Sequence, residues 1–162
     1  MSKTEKKNMF GAPEIQNRKA RHSYNILEKF EVGVMLCGTE VKSIRMGRVN
    51  MVDSFVEVTK DSEIWVNNLQ IEVFDFGNIH NHRPTQKRKL LAHRHEITKM
   101  KKSVELKGYT IIPLRLYFTE KGMVKIEIAI CTGKDNQDKR QDLIAKTQKR
   151  EIDRVLKNVR RG

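Results

Sequence analysis

The sequence has few cysteines, few aromatic residues and no long apolar run, and these shortages exclude several classes of protein. Two cysteines in 162 residues, Cys37 and Cys131, are too few for a disulfide-stabilised secreted domain. No apolar stretch approaches the roughly 20 residues of a membrane-spanning helix. The first ten residues lack the apolar centre of a signal peptide. We therefore expect a single cytosolic domain with short appendages and free, mostly buried thiols.

Acidic residues are also scarce relative to basic ones. Thirty-three Lys and Arg stand against 20 Asp and Glu, which gives a net charge of +13. The basic excess is spread over residues 18–131 and 132–162 alike. A charge of this size favours a polyanionic partner. Nucleic acid ranks above an anionic membrane because the sequence has no strongly apolar amphipathic face.

Residues 30–48 give the clearest local pattern. Apolar side chains occupy every second position from Phe30 to Leu36, which is typical of a strand with one buried face. Gly38 ends this strand, and Thr39 is placed to cap the first turn of a short helix.

That short helix is expected to be amphipathic. Val41 and Ile44 form its small apolar face, while Lys42 and Arg45 lie on other sides. Gly47 is placed to end the helix. The pattern predicts a strand followed by a helix that carries exposed positive charge.

The rest of the chain alternates between strand and helix patterns. The predicted elements are a strand from near Tyr24, a hairpin of strands over 53–58 and 64–73, a loop over 74–88, an amphipathic helix over 90–106, and a hairpin of strands over 109–118 and 123–131. In the second hairpin Ile112, Leu114, Leu116 and Phe118 are expected to share the buried face, and Pro113 marks an edge or a bulge. This order predicts a mainly β fold with helices, a small antiparallel OB-like β-barrel.

The two ends of the chain differ from this central region. Residues 1–17 are predicted to be a flexible N-terminus, residues 18–131 the barrel, and residues 132–162 a basic C-terminal tail. The tail lacks aromatic residues, and we expect it to be disordered when free and helical only against a partner. Its thin apolar stripe consists of Ile144, Ile152, Val155, Leu156 and Val159.

Four histidines form two H-x-H pairs, His80 with His82 and His93 with His95. A zinc site needs further ligands, and no Cys, Asp or Glu cluster accompanies either pair. On a helix His93 and His95 would also point apart. We expect surface or RNA-adjacent histidines, with no bound metal or cofactor. The chain also lacks a nucleophile elbow and a glycine-rich phosphate loop, so the sequence predicts that the protein is not an enzyme. The enzymatic alternative is a metal-dependent nuclease that uses the two histidine pairs.

Three charged residues are predicted on the outward faces of strands. They are Glu31, Lys125 and Glu127, each alternating with buried apolar positions. One interpretation is a solvated sheet face with cross-strand charge pairs. The other is a polar RNA-contact face. The pattern alone leaves both open.

Several motifs resemble those of a known family. They are Asn17–His22, Gly38–Ser43, Arg88–Leu91, Pro113–Phe118, Gly133–Lys134 and Asp138–Arg140. They stand in the order found in the SmpB family, the tmRNA-binding proteins of bacterial trans-translation, and the resemblance runs from about Asn17 to the C-terminus.

The resemblance implies a non-enzymatic, monomeric RNA-binding protein with an OB-like barrel and a basic tail. Its partners would be tmRNA and the stalled 70S ribosome, through the small-subunit rRNA, the decoding centre and the mRNA channel. Elongation factor Tu and alanyl-tRNA synthetase would be indirect partners through tmRNA. The barrel would stand in for the anticodon half of a tRNA, and the tail would occupy the empty mRNA channel. The alternative is a general OB-type RNA chaperone or ribosome-assembly factor.

The resemblance also implies site residues. Glu31, Leu91 and Lys125 match positions implicated in tmRNA binding, and Asp138, Lys139 and Arg140 match the tail motif. Further candidate RNA contacts, from the motifs and the charge, are Asn17, Arg21, His22, Lys42, Arg45, Lys87 and Arg88. The residue before the tail motif is Gln137, where relatives often carry histidine or tyrosine. A glutamine hydrogen-bonds but offers no ring for stacking.

Overall fold

The structure, a computed structural model, describes residues 12–77, 79, 81–134, 144, 145, 147–150, 152 and 156. These residues form a mainly β fold with flanking helices. The strands are β1 (Ile15–Gln16), β2 (Tyr24–Val34), β3 (Val49–Asn50), β4 (Phe55–Val58), β5 (Ile64–Asn67), β6 (Gln70–Ile71), β7 (Arg88–Leu91), β8 (Thr110–Phe118) and β9 (Val124–Gly133). The helices are α1 (Arg18–Ser23), α2 (Gly38–Arg45) and α3 (Arg94–Lys107).

Six of the strands close into a barrel. Their order is β8-β4-β5-β7-β2-β9, every neighbouring pair is antiparallel, and β9 pairs back to β8. The short strand β1 extends the sheet beside β8, while β3 and β6 pair with each other outside the barrel. The closed antiparallel ring is compatible with the predicted OB-like barrel.

The barrel interior is filled by the apolar residues of the predicted alternating pattern. Phe30 and Val32 of β2 are buried, and so are Ile126, Ile128 and Ile130 of β9. Val34 and Leu36 pack against this core from partly buried positions. The period-2 interpretation of these two strands is confirmed.

Strand β8 departs from its predicted face at Pro113. The pairing of β8 with β9 shifts register between Pro113 and Arg115, so of the two predicted alternatives, an edge or a bulge, the proline marks a bulge. Before the bulge, Ile112 packs in a second cluster with Ala20 and Cys131, whereas Leu116 packs in the barrel core. The prediction of a single shared face is wrong because the inserted residue reverses the alternation.

The helix predicted over 90–106 begins later than expected. Leu90 pairs with Ile64 of β5, and Leu91 pairs with Gly33 of β2, so both leucines belong to strand β7. Helix α3 begins at Arg94 and ends before Gly108, whose φ of 62° gives a left-handed C-cap. Leu90, Ile97 and Val104 recur every seven residues, which is typical of one helical face. Strand pairing nevertheless decides the conformation of residues 88–91.

Helix α2 begins two residues earlier than predicted. Cys37 is its N-cap, and the Glu40 carboxylate accepts the Cys37 backbone N–H at 2.7 Å. Thr39 lies within the helix, and its hydroxyl contacts His82 Nδ1 at 3.0 Å. The prediction of a Thr39 cap is therefore wrong, whereas the predicted stop is confirmed by Gly47, at φ 74°.

Two further segments have different bounds in the structure from those predicted. The hairpin of β4 and β5 is confirmed, but β5 ends at Asn67 rather than continuing to Val73, since Asn68 turns the chain at φ 55°. Ala12 is buried in the core, and β1 lies within the predicted flexible N-terminus.

In the tail, the described residues 144, 145, 147–150, 152 and 156 are helical and exposed. A change between free and ribosome-bound tail stays a prediction.

The two cysteines are free thiols in different surroundings. Cys37 is exposed, contrary to the expectation of burial, and Cys131 is buried. Desolvation raises the pKa of Cys131 to about 11.

Among the described helices, none is both long and apolar enough to cross a bilayer.

Thiol labelling tests this placement. We expect iodoacetamide at neutral pH to add one label to the native protein, at Cys37, because Cys131 lacks both solvent access and thiolate character. Peptide mass spectrometry locates the label. The urea-unfolded protein is the control and should take two labels. Comparable native labelling of both cysteines would contradict the packing of β9.

Candidate nucleic-acid interface

A groove of about 570 Å³ lies at one end of the barrel. It is bounded by the end of β2, the middle of α2, the start of α3 and the start of β9. Glu31, Leu91 and Lys125, for which the family resemblance implies RNA contacts, all line it. The structure thus brings together three residues that are up to 94 positions apart in the chain.

Strand register explains how these residues meet. Gly33 of β2 pairs with Leu91 on one side and with Lys125 on the other. Directly paired residues point to the same face, so the two side chains flank the glycine. A Cβ at Gly33 would lie 3.4 Å from the Leu91 Cβ. Because glycine has no side chain, the groove stays open at this position. Leu91 and Met123 leave about half of their surfaces exposed in the groove.

The carboxylate of Glu31 is held by two neighbours. The Tyr117 hydroxyl donates to Glu31 Oε2, and Lys125 Nζ lies 3.9 Å from Glu31 Oε1. Burial, with the hydrogen bond to Glu31, raises the pKa of Tyr117 to about 12, so the phenol keeps its proton and stays a donor. The Glu31 side chain is still 55% exposed. It therefore offers a positioned acceptor to a ligand in the groove.

Glu127 and its neighbours form a cluster of charged residues next to Glu31 on the same strands. Glu127 pairs with Glu31 across β9 and β2, and with Arg115 across β9 and β8. Its carboxylate accepts from Arg115 Nε at 2.8 Å and lies 3.3 Å from Lys29 Nζ. Partial burial acts to raise the pKa of Glu127, but the bonds and charges of Arg115 and Lys29 outweigh burial and lower it. The cross-strand charge pairs of the first interpretation are therefore present on this surface, and an RNA-contact face stays a prediction.

Helix α2 carries predicted cations beside the groove. Val41 lines the groove, and Lys42 Nζ lies 5.0 Å from the centre of the Phe74 ring. The Arg45 guanidinium lies 5.6 Å from the Phe118 ring. Both cations are exposed and rest on aromatic faces, which limits their freedom.

The predicted contacts on α1 lie far from the groove. Strand β2 runs from Tyr24, next to α1, to Gly33 in the groove, which is about 30 Å at 3.3 Å per residue. Arg21 and His22 are exposed near the Tyr24 end. The structure therefore does not bring them together with Glu31, Leu91 and Lys125.

Asn17 has a structural position. It is 5% exposed, its Oδ1 accepts the Ala20 N–H at 3.1 Å, and its Nδ2 donates to the carbonyls of Met51 and Pro113. All of its amide groups are occupied in capping α1 and fixing it to the barrel. This placement contradicts the predicted direct RNA contact.

Arg88 is also unsuited to direct RNA contact. It is 2% exposed, and its Nε donates to Glu40 Oε1 at 2.7 Å. Its neighbour Lys87 is exposed and lies 3.2 Å from Glu57 Oε2, so Lys87 remains accessible to a ligand. The basic pair predicted from the sequence divides into one buried and one exposed residue, because Arg88 begins β7 with its side chain bonded inside the protein while Lys87 precedes the strand.

The histidines do not form a metal site among the described residues. No group of three or more His, Cys, Asp or Glu side chains in that part of the chain could hold an ion. His82 is buried, contrary to the surface prediction, and its Nε2–H donates to the Ile71 carbonyl at 3.1 Å. His93 and His95 stack, with ring centres 5.6 Å apart, because His93 precedes α3 in extended conformation; the prediction that they point apart is wrong. His80 and the tail residues Asp138, Lys139 and Arg140 lie outside the described residues.

Comparison with known proteins places the chain in a family. The family model for SmpB protein matches residues 14–158. The chain belongs to the SmpB family. The match covers the barrel and most of the predicted tail, so the SmpB assignment applies to both parts of the chain.

Curated relatives extend over nearly the same length. The SsrA-binding protein of Ligilactobacillus salivarius (strain UCC118) is 48% identical over 143 residues, which is 88% of this chain and 91% of the relative. The SsrA-binding protein of Geobacter metallireducens (strain ATCC 53774 / DSM 7210 / GS-15) is 49% identical over 141 residues, 87% of this chain and 91% of the relative.

A solved structure also matches this SmpB-family fold. It is a chain reported under the description "tmRNA-SmpB: a journey to the center of the bacterial ribosome". The TM-score is 0.66 at 42% sequence identity, and the match covers 82% of this chain and 95% of that chain.

Sequence reasoning missed Gly33 in the groove of this SmpB-family barrel, and Tyr117 and Arg115 on the neighbouring strand β8. Tyr117 and Arg115 alternate with buried residues of β8, so their outward direction was readable from the sequence. Their positions opposite Lys125 and Glu127 depend on register, which a single sequence does not reveal. Gly33 gave no signal beyond its place in a strand.

Proposed function

We propose that this chain binds the tRNA-like domain of tmRNA and delivers it to stalled ribosomes for trans-translation. The observation that carries the proposal is the convergence of Glu31, Leu91 and Lys125 in one groove of a basic barrel. Membership of the SmpB family, whose relatives are named SsrA-binding proteins, supports it. In this role the chain acts in the cytoplasm as a monomeric RNA-binding protein rather than as an enzyme.

The chemistry of the groove suits structured RNA. Lys125 supplies positive charge for a phosphate, and exposed Leu91 offers an apolar surface to a ribose or a base. Glu31 accepts hydrogen bonds, so it would bind a ribose 2′-hydroxyl or a base amino group rather than a phosphate. The donor Tyr117 fixes the orientation of that carboxylate. The groove therefore combines charge with a donor-specific contact, which a purely electrostatic RNA binder does not need.

The two halves of the chain take different parts in this proposal. The barrel replaces the anticodon half of a tRNA, and the tail, with Asp138, Lys139 and Arg140, occupies the empty mRNA channel and signals the decoding centre. Elongation factor Tu and alanyl-tRNA synthetase are reached indirectly, through tmRNA. Arg21 and His22, about 30 Å from the groove along β2, would contact a different part of the assembly.

Replacing Glu31 by glutamine tests the groove. We expect E31Q to bind the tRNA-like domain about tenfold more weakly, because hydrogen bonds to a charged acceptor contribute about 1.5–3 kcal/mol each. Stability should change little, since the side chain is half exposed. Gel-shift titration of the full chain at about 0.2 M salt, where weak electrostatic binding is suppressed, measures the affinity.

The matched control is Glu28→Gln on the same strand. Glu28 pairs with Lys99 of α3 and does not line the groove, so E28Q makes the same change of net charge elsewhere. Equal effects of the two variants would refute a specific role for the groove. If the wild type bound an unrelated hairpin as tightly as the tRNA-like domain, the general RNA-chaperone alternative would be favoured.

A further inference from the structure

The loop that follows β6 presents an aromatic side chain to solvent. Phe76 is 80% exposed, and Ile79 is 91% exposed on the same loop. The Phe76 ring packs edge-to-face on half-buried Phe74, with ring centres 5.6 Å apart. One edge of Phe76 is thus supported while most of its surface stays open.

This loop is held by specific bonds around Phe76. The Asn81 side chain accepts the Phe74 N–H and donates to the Phe74 carbonyl, both at 2.9 Å. Arg48 Nη1 lies 2.7 Å from Asp75 Oδ2. A Cβ at Gly77 would lie 2.5 Å from Asn81 Oδ1, so glycine permits this close turn. The chain therefore fixes the Phe76 backbone without burying the ring.

Helix α2 contacts both the loop and the groove, and it places a cation on the loop. Lys42 Nζ lies over the Phe74 ring, and Val41, the preceding residue of α2, lines the groove. Arg48 approaches the loop from the other end of α2. Aromatic rings interleaved with Lys and Arg form the surfaces on which proteins stack nucleic-acid bases. Arg48 is paired with Asp75, so the cation that favours RNA over an apolar protein segment as the occupant is Lys42, on the Phe74 ring that supports Phe76.

We propose that Phe76 stacks on an unpaired base of the RNA bound in the groove, with Lys42 on the adjoining phosphate. The inference rests on the proposed function and adds a contact on the far side of α2. Loops of structured RNA present such bases, which stack on aromatic side chains. The bound RNA thus extends from Glu31 and Leu91, across α2, to the Phe76 loop.

The test is a titration of full-length variants with the tRNA-like domain. We expect Phe76→Ala to lose about tenfold in affinity, or about 1.4 kcal/mol, within the range for one base–aromatic stack. Phe76→Tyr should stay within about twofold of wild type. Ile79→Ala is the matched control, equally exposed on the same loop but without a ring, and should have no effect. All three should unfold at the wild-type urea concentration, because these side chains are exposed.

A fluorescence variant gives a second measurement. Phe76→Trp adds an indole to a protein whose single tryptophan is Trp65. Stacking on a base should quench the added fluorescence as RNA binds, with the wild-type titration as the background. Trp65 lies 5.9 Å from Lys89 Nζ on the strands β5 and β7, outside the loop.

Three results would overturn the inference while leaving the proposed function standing. They are wild-type affinity of Phe76→Ala without quenching in Phe76→Trp, equal losses in Phe76→Ala and Ile79→Ala, and normal RNA binding of Phe76→Ala with reduced peptide tagging. The last would indicate a protein partner. A wild type that failed to select the tRNA-like domain would overturn the proposed function and this inference together.

Discussion

Replacing Arg88 by methionine is expected to lower the free energy of unfolding by about 3–5 kcal/mol. Arg88 and Glu40 form an ion pair in which each side chain is 1% exposed. The variant keeps the apolar stem of the side chain but leaves the Glu40 carboxylate buried without its cation. Because domains are stable by only about 5–15 kcal/mol, this is a large fraction of the total.

The size of the effect follows from how completely the pair is bonded. Glu40 also accepts from Gln86 Nε2 at 2.8 Å and from the Cys37 backbone N–H. Arg88 donates to the carbonyls of Leu69, Gln86 and Pro84. One guanidinium thus ties the start of α2 to β7 and to the loop before it. Helix α2 and strand β7 both border the groove.

Urea unfolding with an unchanged slope measures the loss. Lys87→Met is the matched control, since Lys87 is the preceding residue and its exposed pair with Glu57 should contribute at most about 1 kcal/mol. The double variant Glu40→Gln with Arg88→Met should recover part of the loss, because no unpaired charge remains. If Arg88→Met kept wild-type stability and lost RNA affinity, Arg88 would be an RNA contact after all.

The same residue shows where prediction from the sequence succeeds and where it fails. The run Gln86–Leu91 is basic and polar at its start, and charge alone predicts an exposed RNA contact. The structure makes the segment a central barrel strand, in which Arg88 and Leu90 point inward while Leu91 points to the groove. Strand pairing with β5 and β2 decides this, and such long-range pairing leaves no mark in the local pattern.

The sequence predicted the structure correctly where a residue and its near neighbours determine the conformation by themselves. The alternation of Phe30 and Val32 predicted the wall of the barrel, Pro113 predicted an edge or a bulge, and Gly47 predicted a helix end. The cap of α2 was misassigned because a Glu40 side chain that also binds Arg88 stabilises a start at Cys37. For the site, resemblance indicated Glu31, but its fixing by Tyr117 required the register of β8.

Removing the tail should separate RNA binding from ribosome rescue. A chain that ends at Lys134 is expected to bind the tRNA-like domain within about threefold of the full chain at 0.2 M salt, where the tail's charge adds little. It should give no peptide tagging on ribosomes stalled on messages without a stop codon. Cutting after Lys134 keeps the last described barrel contact, the Lys134 N–H bond to the Ser23 carbonyl at 3.1 Å. The affinity is measured by gel shift and the tagging by immunoblot.

The exposed apolar face of the tail gives the physical reason for this division. Ile144, Ile152 and Leu156 are spaced by eight and four residues, which places them on one side of a helix, and each is 55–59% exposed. We expect a helix with these exposed apolar residues to gain its stability from a partner surface. Full-length Lys139→Ala with Arg140→Ala is the companion variant and should also lose tagging, whereas Lys121→Ala on the β8–β9 turn should not. Weakened RNA binding in the shortened chain, or tagging that survived the loss of the tail, would contradict the division.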